Sequence, residues 1–360
     1  QNEATASVAP ATEHLSALLI NGGGRRQVNY YSHLDHLRRL TAMLEAAGVD
    51  PARIDIFSGD GADPAADLAV RDGHLPPDFW LLPRSTARRL RPPIEYVNSE
   101  IAGFKLQPAT RAALSAWFET DGSELTSGDT LLLYVTDHGE KDPEGNGDTR
   151  ISLWGEELSV TELRELLAEI HPSVRVVMLM SQCYSGGFAN AIFPDGVESV
   201  PAGNVCGYFS APPDRKAHGC YPEVSGKEAV GHSHRMFEAI AAAAPLPDAQ
   251  REVLVTDGTP DVPNATTGFF LDRQLELNAK RVDLETVDFI DVLLAEAWQD
   301  PLAWEREIRL LDRVGQAFGF SSPRSLAQLE AQAEGLAALR DQLDTYARRW
   351  ERALDALQQE

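Results

Sequence analysis

Two stretches of this sequence decide its fold, LLLYVTDHG (Leu131–Gly139) and VRVVMLMSQCYSGG (Val174–Gly187). Each begins as a short apolar run rich in branched residues, which is typical of a buried strand in a parallel sheet. Each ends at a residue with reactive chemistry, His138 in the first stretch and Cys183 in the second. Side chains at the carboxyl ends of neighbouring parallel strands share one crevice, so we expect His138 and Cys183 to lie close together.

Strand and helix patterns alternate on both sides of these stretches, from about residue 16 to residue 245. Strands separated by helical segments favour a mostly parallel sheet with right-handed crossovers and helices on both faces. The predicted fold class is therefore α/β, with three layers in the order α/β/α. The further predicted elements are strands at Ser16–Ile20, Arg53–Phe57 and Asn204–Ala211, and helices at Tyr31–Ala47, Thr110–Phe118 and Val160–Ile170, the last with Ser159 as its N-cap.

The length of the chain predicts more than one structural part. A chain of 360 residues exceeds the size at which one hydrophobic core stops growing, about 250 to 300 residues. We predict a polar N-terminal segment over 1–15, a main domain over 16–283 and a helical C-terminal region over 284–360. Within the main domain, residues 59–108 are rich in proline and glycine and lack a clear period, which predicts a surface insertion.

Charge and hydropathy disfavour several classes of function. The formal net charge is −23 at pH 7, which opposes binding to nucleic acid and to anionic membrane surfaces. No apolar run approaches the length of a membrane span. The chain begins at Gln1, which leaves two origins open, removal of a secretory signal or trimming. A secreted or periplasmic location and a cytoplasmic one are both compatible with the sequence.

A cysteine and a histidine that meet in one crevice form a nucleophile and its base. Cys183 attacks as a thiolate, while His138 takes the thiol proton and later returns a proton to the leaving amine. Gly139 has no side chain, so a backbone N–H there can approach the developing oxyanion beside the N–H of Cys183. The sequence therefore predicts a Cys-His dyad that requires neither a metal nor an organic cofactor.

The residues around the dyad resemble the motifs of the legumain family of cysteine endopeptidases, within the wider caspase-like group. Thr136-Asp137-His138-Gly139 resembles the histidine motif of that family. Gln182-Cys183-Tyr184-Ser185-Gly186 resembles its cysteine motif, whose usual form is Ala or Ser, Cys, Glu, Ser, Gly. The resemblance covers roughly residues 16–240. It implies a caspase-hemoglobinase-like fold and an endopeptidase that cleaves protein or peptide substrates through a thioester acyl-enzyme.

The same resemblance assigns further site residues. Asn29 matches an asparagine that orients the catalytic histidine in the family, and either Arg25 or Arg26 follows the first strand as does an arginine that holds aspartate in caspases. The charged pocket with which legumains bind asparagine is not reproduced, so specificity for asparagine is not implied. The residues assigned to substrate binding are Ser181, Gln182, Ser210, Ala211, His232 and Arg26.

The C-terminal region gives a separate expectation. Helical C-terminal segments cover the cleft in legumain zymogens, so the resemblance implies that residues 284–360 cover the cleft or dock a regulator. A caspase-like scaffold without catalytic activity, which binds a partner through this helical tail, is an alternative function.

A second alternative is a cysteine hydrolase of the α/β-hydrolase type. Cys183 would then lie on a nucleophile elbow, and the histidine would follow it in the chain, as His218, His232 and His234 do. Two further points stay open at the level of sequence. Cys206 and Cys220 either form a disulfide or remain thiols, and the acidic loop that begins at Asp142 resembles a calcium loop without its final glutamate.

Overall fold

The protein is described by a computed structural model that covers residues 11–74, 86, 89–145, 147–196, 199–225, 230–259, 261–336, 338–339, 342 and 349. The chain forms two compact units, one of residues 1–75 and 92–269 and the other of residues 76–91 and 270–360. The first unit contains both sequence motifs. Most of the predicted N-terminal segment 1–15 lies outside the described residues.

Twelve strands are described in the first unit, in one central and two smaller sheets. In chain order they are β1 (Leu15–Asn21), β2 (Ile54–Ser58), β3 (Leu68–Asp72), β4 (Glu95–Val97), β5 (Thr130–Thr136), β6 (Gly139–Glu140), β7 (Arg150–Leu153), β8 (Glu156–Ser159), β9 (Arg175–Met180), β10 (Val205–Phe209), β11 (Glu223–Ser225) and β12 (Asn264–Ala265).

The α-helices that the structure describes with defined bounds are distributed over both units. In chain order they are α1 (Tyr31–Ala46), α2 (Arg111–Trp117), α3 (Val160–Leu167), α4 (His232–Ala241), α5 (Leu246–Thr256), α6 (Thr266–Arg281), α7 (Thr286–Gln299) and α8 (Glu305–Phe318). Short 3-10 helices occur at Ala11–His14, Pro51–Arg53 and Ser185–Ile192, and a π-helical turn follows α2 at Phe118–Gly122.

The central sheet has six strands in the order β12-β10-β9-β5-β1-β2. All neighbours pair in parallel except β12, which runs antiparallel to β10 at the edge. Such a sheet needs crossover connections, and the helices between the strands supply them. The mostly parallel sheet predicted from the sequence is confirmed.

Alternate residues of each central strand pack on opposite faces of the sheet, which gives two hydrophobic cores. On one face, the core around Leu133 includes residues of α2 and α3. On the other face, the core around Leu132 includes residues of α1, α4 and α5. Strands buried on both faces read as continuous apolar runs, as Leu131–Val135 does. The predicted α/β/α arrangement is therefore confirmed.

Local sequence signals account for the helix ends near the sheet. The predicted helix at Tyr31–Ala47 is observed as α1, with one residue fewer at its end. Ser159 caps α3 as predicted, since its Oγ accepts a hydrogen bond from the N–H of Glu162 at 3.2 Å. The Glu162 carboxylate in turn accepts from the N–H of Ser159 at 2.7 Å, which completes a capping box.

The stretch 59–108, predicted as a surface insertion, contains strands β3 and β4 where it is described. These strands join β11 in a three-stranded sheet. Leu68 and Ala69 in β3 are buried, whereas all three residues of β4 are exposed. The inner part of this stretch therefore contributes to the core of the first unit.

The second unit is mainly helical in its described part, which includes α7, α8 and a helical segment at 326–336. The indole N–H of Trp298 donates to the carbonyl of Pro323 at 3.1 Å, and the guanidinium of Arg324 lies 3.7 Å from the centre of the same ring. The rest of the predicted helical region beyond 336 lies outside the described residues, apart from 338, 339, 342 and 349. None of the described helices is both long and apolar enough to cross a membrane.

Gly22 allows the end of β1 to lie against the backbone of β7. A Cβ added at Gly22 would overlap the carbonyl oxygen of Ser152 and lie 2.8 Å from Cα of Leu153. We expect Gly22→Ala to lower the free energy of unfolding by about 3 kcal/mol, because side-chain rotation cannot relieve an overlap with backbone. Chemical denaturation measures this loss.

Gly203→Ala is the matched control, because a Cβ added there meets no described atom within 4 Å. It should change the free energy of unfolding by less than about 0.5 kcal/mol. Equal losses in the two variants would contradict the close approach of β1 and β7.

Candidate active site

The carboxyl ends of β5 and β9 bring the two sequence motifs together through the backbone of Gly139. A Cβ added at Gly139 would overlap the carbonyl oxygen of Cys183 and lie 2.9 Å from Cγ of Gln182. The N–H of Gly139 also lies close enough to the Cys183 thiol to lower its pKa. Glycine at this position is therefore a packing requirement as well as a source of an accessible N–H.

His138 is held by a backbone carbonyl. Its Nε2 lies 3.0 Å from the carbonyl oxygen of Val28, and the ring meets those of Tyr30 and His33 edge to face. A carbonyl oxygen only accepts hydrogen bonds, so Nε2 carries the proton in this contact. Nδ1 is then the basic nitrogen of the neutral imidazole.

Cys183 is partly buried, and its thiol donates a long hydrogen bond of 3.7 Å to the carbonyl of Ala217. Burial raises the pKa of this thiol; the positive charge of Lys216 lowers it, and the charge of Asp261 raises it. In the part of the chain that the structure describes, no hydrogen bond joins the thiol to the His138 imidazole. Burial of the thiol therefore favours its protonated form.

Asp137 places a buried carboxyl group between two imidazoles. Its Oδ1 lies 3.5 Å from Nε2 of His33 and 3.6 Å from Nε2 of His138. Burial raises the pKa of Asp137 to about 6, although the charge of His138 and the nearby N–H groups of Gly23 and His138 lower it. Neither carboxylate oxygen makes a hydrogen bond of ordinary geometry within the described residues. Sequence reasoning gave Asp137 no role of its own.

Two histidines of α1, His33 and His36, contact the hydroxyl of Thr136, the residue before Asp137. Nδ1 of His33 and Nδ1 of His36 lie 3.1 Å and 3.2 Å from the hydroxyl oxygen of Thr136. Burial lowers the pKa of His33 well below its ordinary value and that of His36 to about 4. Both imidazoles are therefore neutral at neutral pH.

Asn29 belongs to a buried polar cluster rather than to the contacts of His138. Its Nδ2 donates to the backbone and side-chain oxygens of Asp67 at 3.1 Å and 3.3 Å, and its Oδ1 accepts from Asn21 at 3.0 Å. No hydrogen bond to His138 is among its described contacts. Because Asn29 follows Val28 directly, the cluster fixes the loop whose carbonyl holds His138. A direct role of Asn29 in orienting His138 stays a prediction.

The residues predicted to bind substrate occupy different environments. The side chains of Gln182, Ser210, Ala211 and His232 are buried, while Ser181 is partly buried. The Ser210 hydroxyl lies 3.2 Å from that of Ser185, and His232 Nε2 lies 3.1 Å from the side-chain oxygen of Gln250. Arg26 is exposed, with its guanidinium 5.1 Å from the ring centre of Tyr96. Their roles in substrate binding stay predictions.

An open cleft of about 670 Å³ lies beside His138. Most of the residues that line this cleft were not predicted from the sequence. They belong to the loop after β1, to α2 and to the β7–β8 hairpin, outside the two motifs. Its lining residues are Gly24, Arg25, Val28, Arg111, His138, Glu140, Ser152, Leu153, Gly155, Glu156 and Glu157.

The backbone is strained on either side of the motif residues. Asp137, which precedes His138, has φ 98°, and Tyr184, which follows Cys183, has φ 59°. Residues other than glycine rarely adopt these conformations, which cost about 1–3 kcal/mol each and cluster at functional sites. Backbone strain of this kind indicates a functional site, and the sequences of the two motifs do not predict it.

Two charges of opposite sign act on the Cys183 thiol, which gives a matched pair of variants. We expect Asp261→Asn to lower the pKa of the thiol and speed its alkylation by iodoacetamide, and Lys216→Gln to slow it. The effect of Asp261 should grow as pH rises through neutrality, because burial raises the pKa of its carboxyl to about 7 and it ionises there.

The rate of alkylation at Cys183 as a function of pH, followed by mass spectrometry of the modified peptide, tests this pair. Asp261→Asn keeps a side-chain oxygen for the N–H of His218, which now donates to Asp261 at 2.7 Å. Shifts of the same sign in the two variants would contradict an electrostatic cause.

Comparison with known proteins places the motifs in a peptidase context. Residues 114–236 match the Peptidase C13 family, the legumain family, over a segment that contains both motifs but less than half of the chain. No curated protein matches this chain. Among solved structures, protein GSU0716 from Geobacter sulfurreducens is similar, with 16% sequence identity and a TM-score of 0.33 over 44% of this chain and 72% of that chain. The family match supports a cysteine peptidase activity in general terms.

Proposed function

We propose that this protein is a legumain-like cysteine endopeptidase in which Cys183 is the nucleophile and His138 the general base and acid. The observation that carries the proposal is the contact between the backbone of Gly139 and that of Cys183 at the ends of β5 and β9. It lies within the segment that matches the Peptidase C13 family. A protein or peptide is the substrate.

Proton transfer in this site is coupled to attack. Burial raises the pKa of the Cys183 thiol, which disfavours a preformed thiolate before substrate binds. The contact of Nε2 with Val28 leaves Nδ1 of His138 to take the thiol proton. The thiol must therefore turn from the carbonyl of Ala217 towards His138 as the sulfur attacks the substrate carbonyl carbon.

The oxyanion of the tetrahedral intermediate needs donors beside the sulfur. The N–H of Gly139 lies close to the thiol of Cys183, and the N–H of Cys183 itself is the second candidate donor. A donor of this kind contributes about 10²- to 10³-fold to the rate. The absence of a side chain at Gly139 keeps the approach to this position open.

Collapse of the intermediate consumes the proton that His138 has taken. The imidazolium gives it to the leaving amine, the C–N bond breaks and the thioester of Cys183 remains. Water then attacks the thioester, with His138 as base, and releases the acid product and the thiol. The Asp137 carboxyl lies 3.6 Å from Nε2 of His138, and burial raises the pKa of this carboxyl to about 6.

The open cleft beside His138 is the proposed substrate cleft. It presents Arg25 and Arg111 together with acidic side chains such as Glu140. Arg111 lies within ion-pair distance of Glu156 and Glu162, so its charge is partly neutralised.

Cleavage of a peptide library that varies only the residue before the scissile bond tests the dyad. We expect Cys183→Ala to abolish cleavage and His138→Ala to lower kcat/KM by about 10²- to 10⁴-fold, since general acid–base catalysis contributes this much. Cys206→Ser is the matched thiol control and should leave cleavage unchanged. Cleavage that persists in Cys183→Ala would overturn the proposal, and a wild type that cleaves nothing would favour the scaffold alternative.

The helical region 284–360 is proposed, from the resemblance to legumain zymogens, to cover the cleft or to dock a regulator. A chain that ends after Asp283 should then cleave a folded protein substrate faster than the full chain does, with a smaller gain for a short peptide. Initial rates on both substrates measure this. Unchanged rates on both would contradict a region that covers the cleft.

A further inference from the structure

Three side chains with metal-binding atoms meet beside the dyad, on the histidine side. One ligand atom each from His33, His138 and Cys220 lies within 4.8 Å of the other two. They come from α1, from the end of β5 and from the segment before β11. None of these residues is adjacent in sequence to another, so the fold alone assembles the group.

His33 supplies an independent sign that this group binds a ligand. The residue is 3% exposed, and its Nδ1 lies in hydrogen-bond contact with the hydroxyl of Thr136. Its Nε2 is fully buried and has no hydrogen-bond partner among the described residues. A buried polar atom without a partner costs folding free energy, which a bound ligand would recover. The same oxygen of Asp137 lies 3.5 Å from this atom and 3.6 Å from Nε2 of His138.

We propose that His33, His138 and Cys220 bind Zn²⁺, and that the bound ion inhibits peptide cleavage because it occupies the imidazole that acts as base. The binding site does not depend on the proposed function, whereas the inhibition does. Cys183 is outside the group, so zinc binds beside the nucleophile and not through it.

The donor set selects the class of metal. One thiolate and two imidazoles suit Zn²⁺, while Ca²⁺ and Mg²⁺ require oxygen ligands. Tetrahedral zinc with bonds of about 2.0–2.3 Å holds its donor atoms roughly 3.5 Å apart. Side-chain movements on the order of 1 Å therefore bring the three atoms to bonding distance. Water fills the fourth position, as in other zinc sites with three protein ligands.

Zinc binding at this site involves no change of oxidation state. The Cys220 thiol releases its proton to solvent, and each imidazole offers the lone pair of one ring nitrogen. A lone pair donated to zinc cannot accept the proton of the Cys183 thiol. Occupancy of the site and base catalysis by His138 therefore exclude each other. Apparent zinc affinity rises with pH, because protons compete for the same donor atoms.

Titration of the full chain with Zn²⁺, under reducing conditions and against a chromophoric chelator, tests the binding site. The Cys183→Ala chain should bind one zinc ion with wild-type affinity. Cys220→Ser and His33→Gln should each weaken binding by at least about tenfold, since even changes outside the ligand shell cost 10- to 100-fold. Cys206→Ser is the matched thiol control and should bind as the wild type does.

Co²⁺ in place of zinc reports the thiolate ligand directly. A sulfur-to-cobalt charge-transfer band should appear in the wild type and in Cys206→Ser and be lost in Cys220→Ser. This readout remains valid if the buried His33→Gln variant fails to fold, because Cys220 is only partly buried. Zinc affinity and a cobalt band that both survive Cys220→Ser would overturn the site.

Measurements of peptide cleavage in the presence of zinc distinguish a failure of the metal site from a failure of the proposed peptidase function. Wild-type cleavage should fall as zinc saturates the site, and Cys220→Ser should need at least about tenfold more zinc for the same fractional loss. Equal sensitivity of the two proteins would overturn the inhibitory mechanism. If the chain binds zinc through Cys220 but cleaves no peptide, the metal site stands and the proposed peptidase function is overturned.

Discussion

The parallel register between β1, β5 and β9 is the constraint on which the site depends. Hydrogen bonds place Asn21 opposite Thr136 and Val135 opposite Met180, so neighbouring strands end at the same level. The motifs that follow then lie side by side, with Gly139 against the carbonyl oxygen of Cys183. A slip of one residue would turn each strand's side chains to the other face of the sheet and disrupt the packing of both cores.

The fold was largely predictable because its signals are local. Short apolar runs predict the central strands, and Ser159 caps the start of α3 as predicted. Most of the site was not predictable, since its contacts join distant parts of the chain. The carbonyl of Val28 holds His138, although the two residues are 110 positions apart in the sequence. Any residue type can supply such a backbone oxygen, so the sequence does not reveal the contact. The approach of Cys220 to His33 likewise follows only from packing.

Buried polar groups in the first unit fall into two kinds. In the cluster around Asn29, amide and carboxylate find partners, and Asp67 also accepts from the N–H and hydroxyl of Ser99 at 2.7 Å and 2.8 Å. Among the described residues, both carboxylate oxygens of Asp137 and Nε2 of His33 have no hydrogen-bond partner, and Oδ1 of Asn21 in the cluster around Asn29 has none either. A satisfied network stabilises a loop, whereas an unsatisfied one costs free energy unless a ligand or a reacting group completes it. The carboxylate of Asp137 and Nε2 of His33 are therefore groups of the site that a ligand or a reacting group would complete.

The strained residues beside the dyad limit how this protein can be improved. Asp137 and Tyr184 hold left-handed conformations next to His138 and Cys183, and glycine at either position would remove a penalty of about 1–3 kcal/mol. Laboratory selection for heat resistance alone would therefore reward substitutions inside the motifs and discard the geometry that the strain maintains. An engineering campaign on this scaffold has to select for turnover and thermal tolerance together, or it will produce robust but inactive chains.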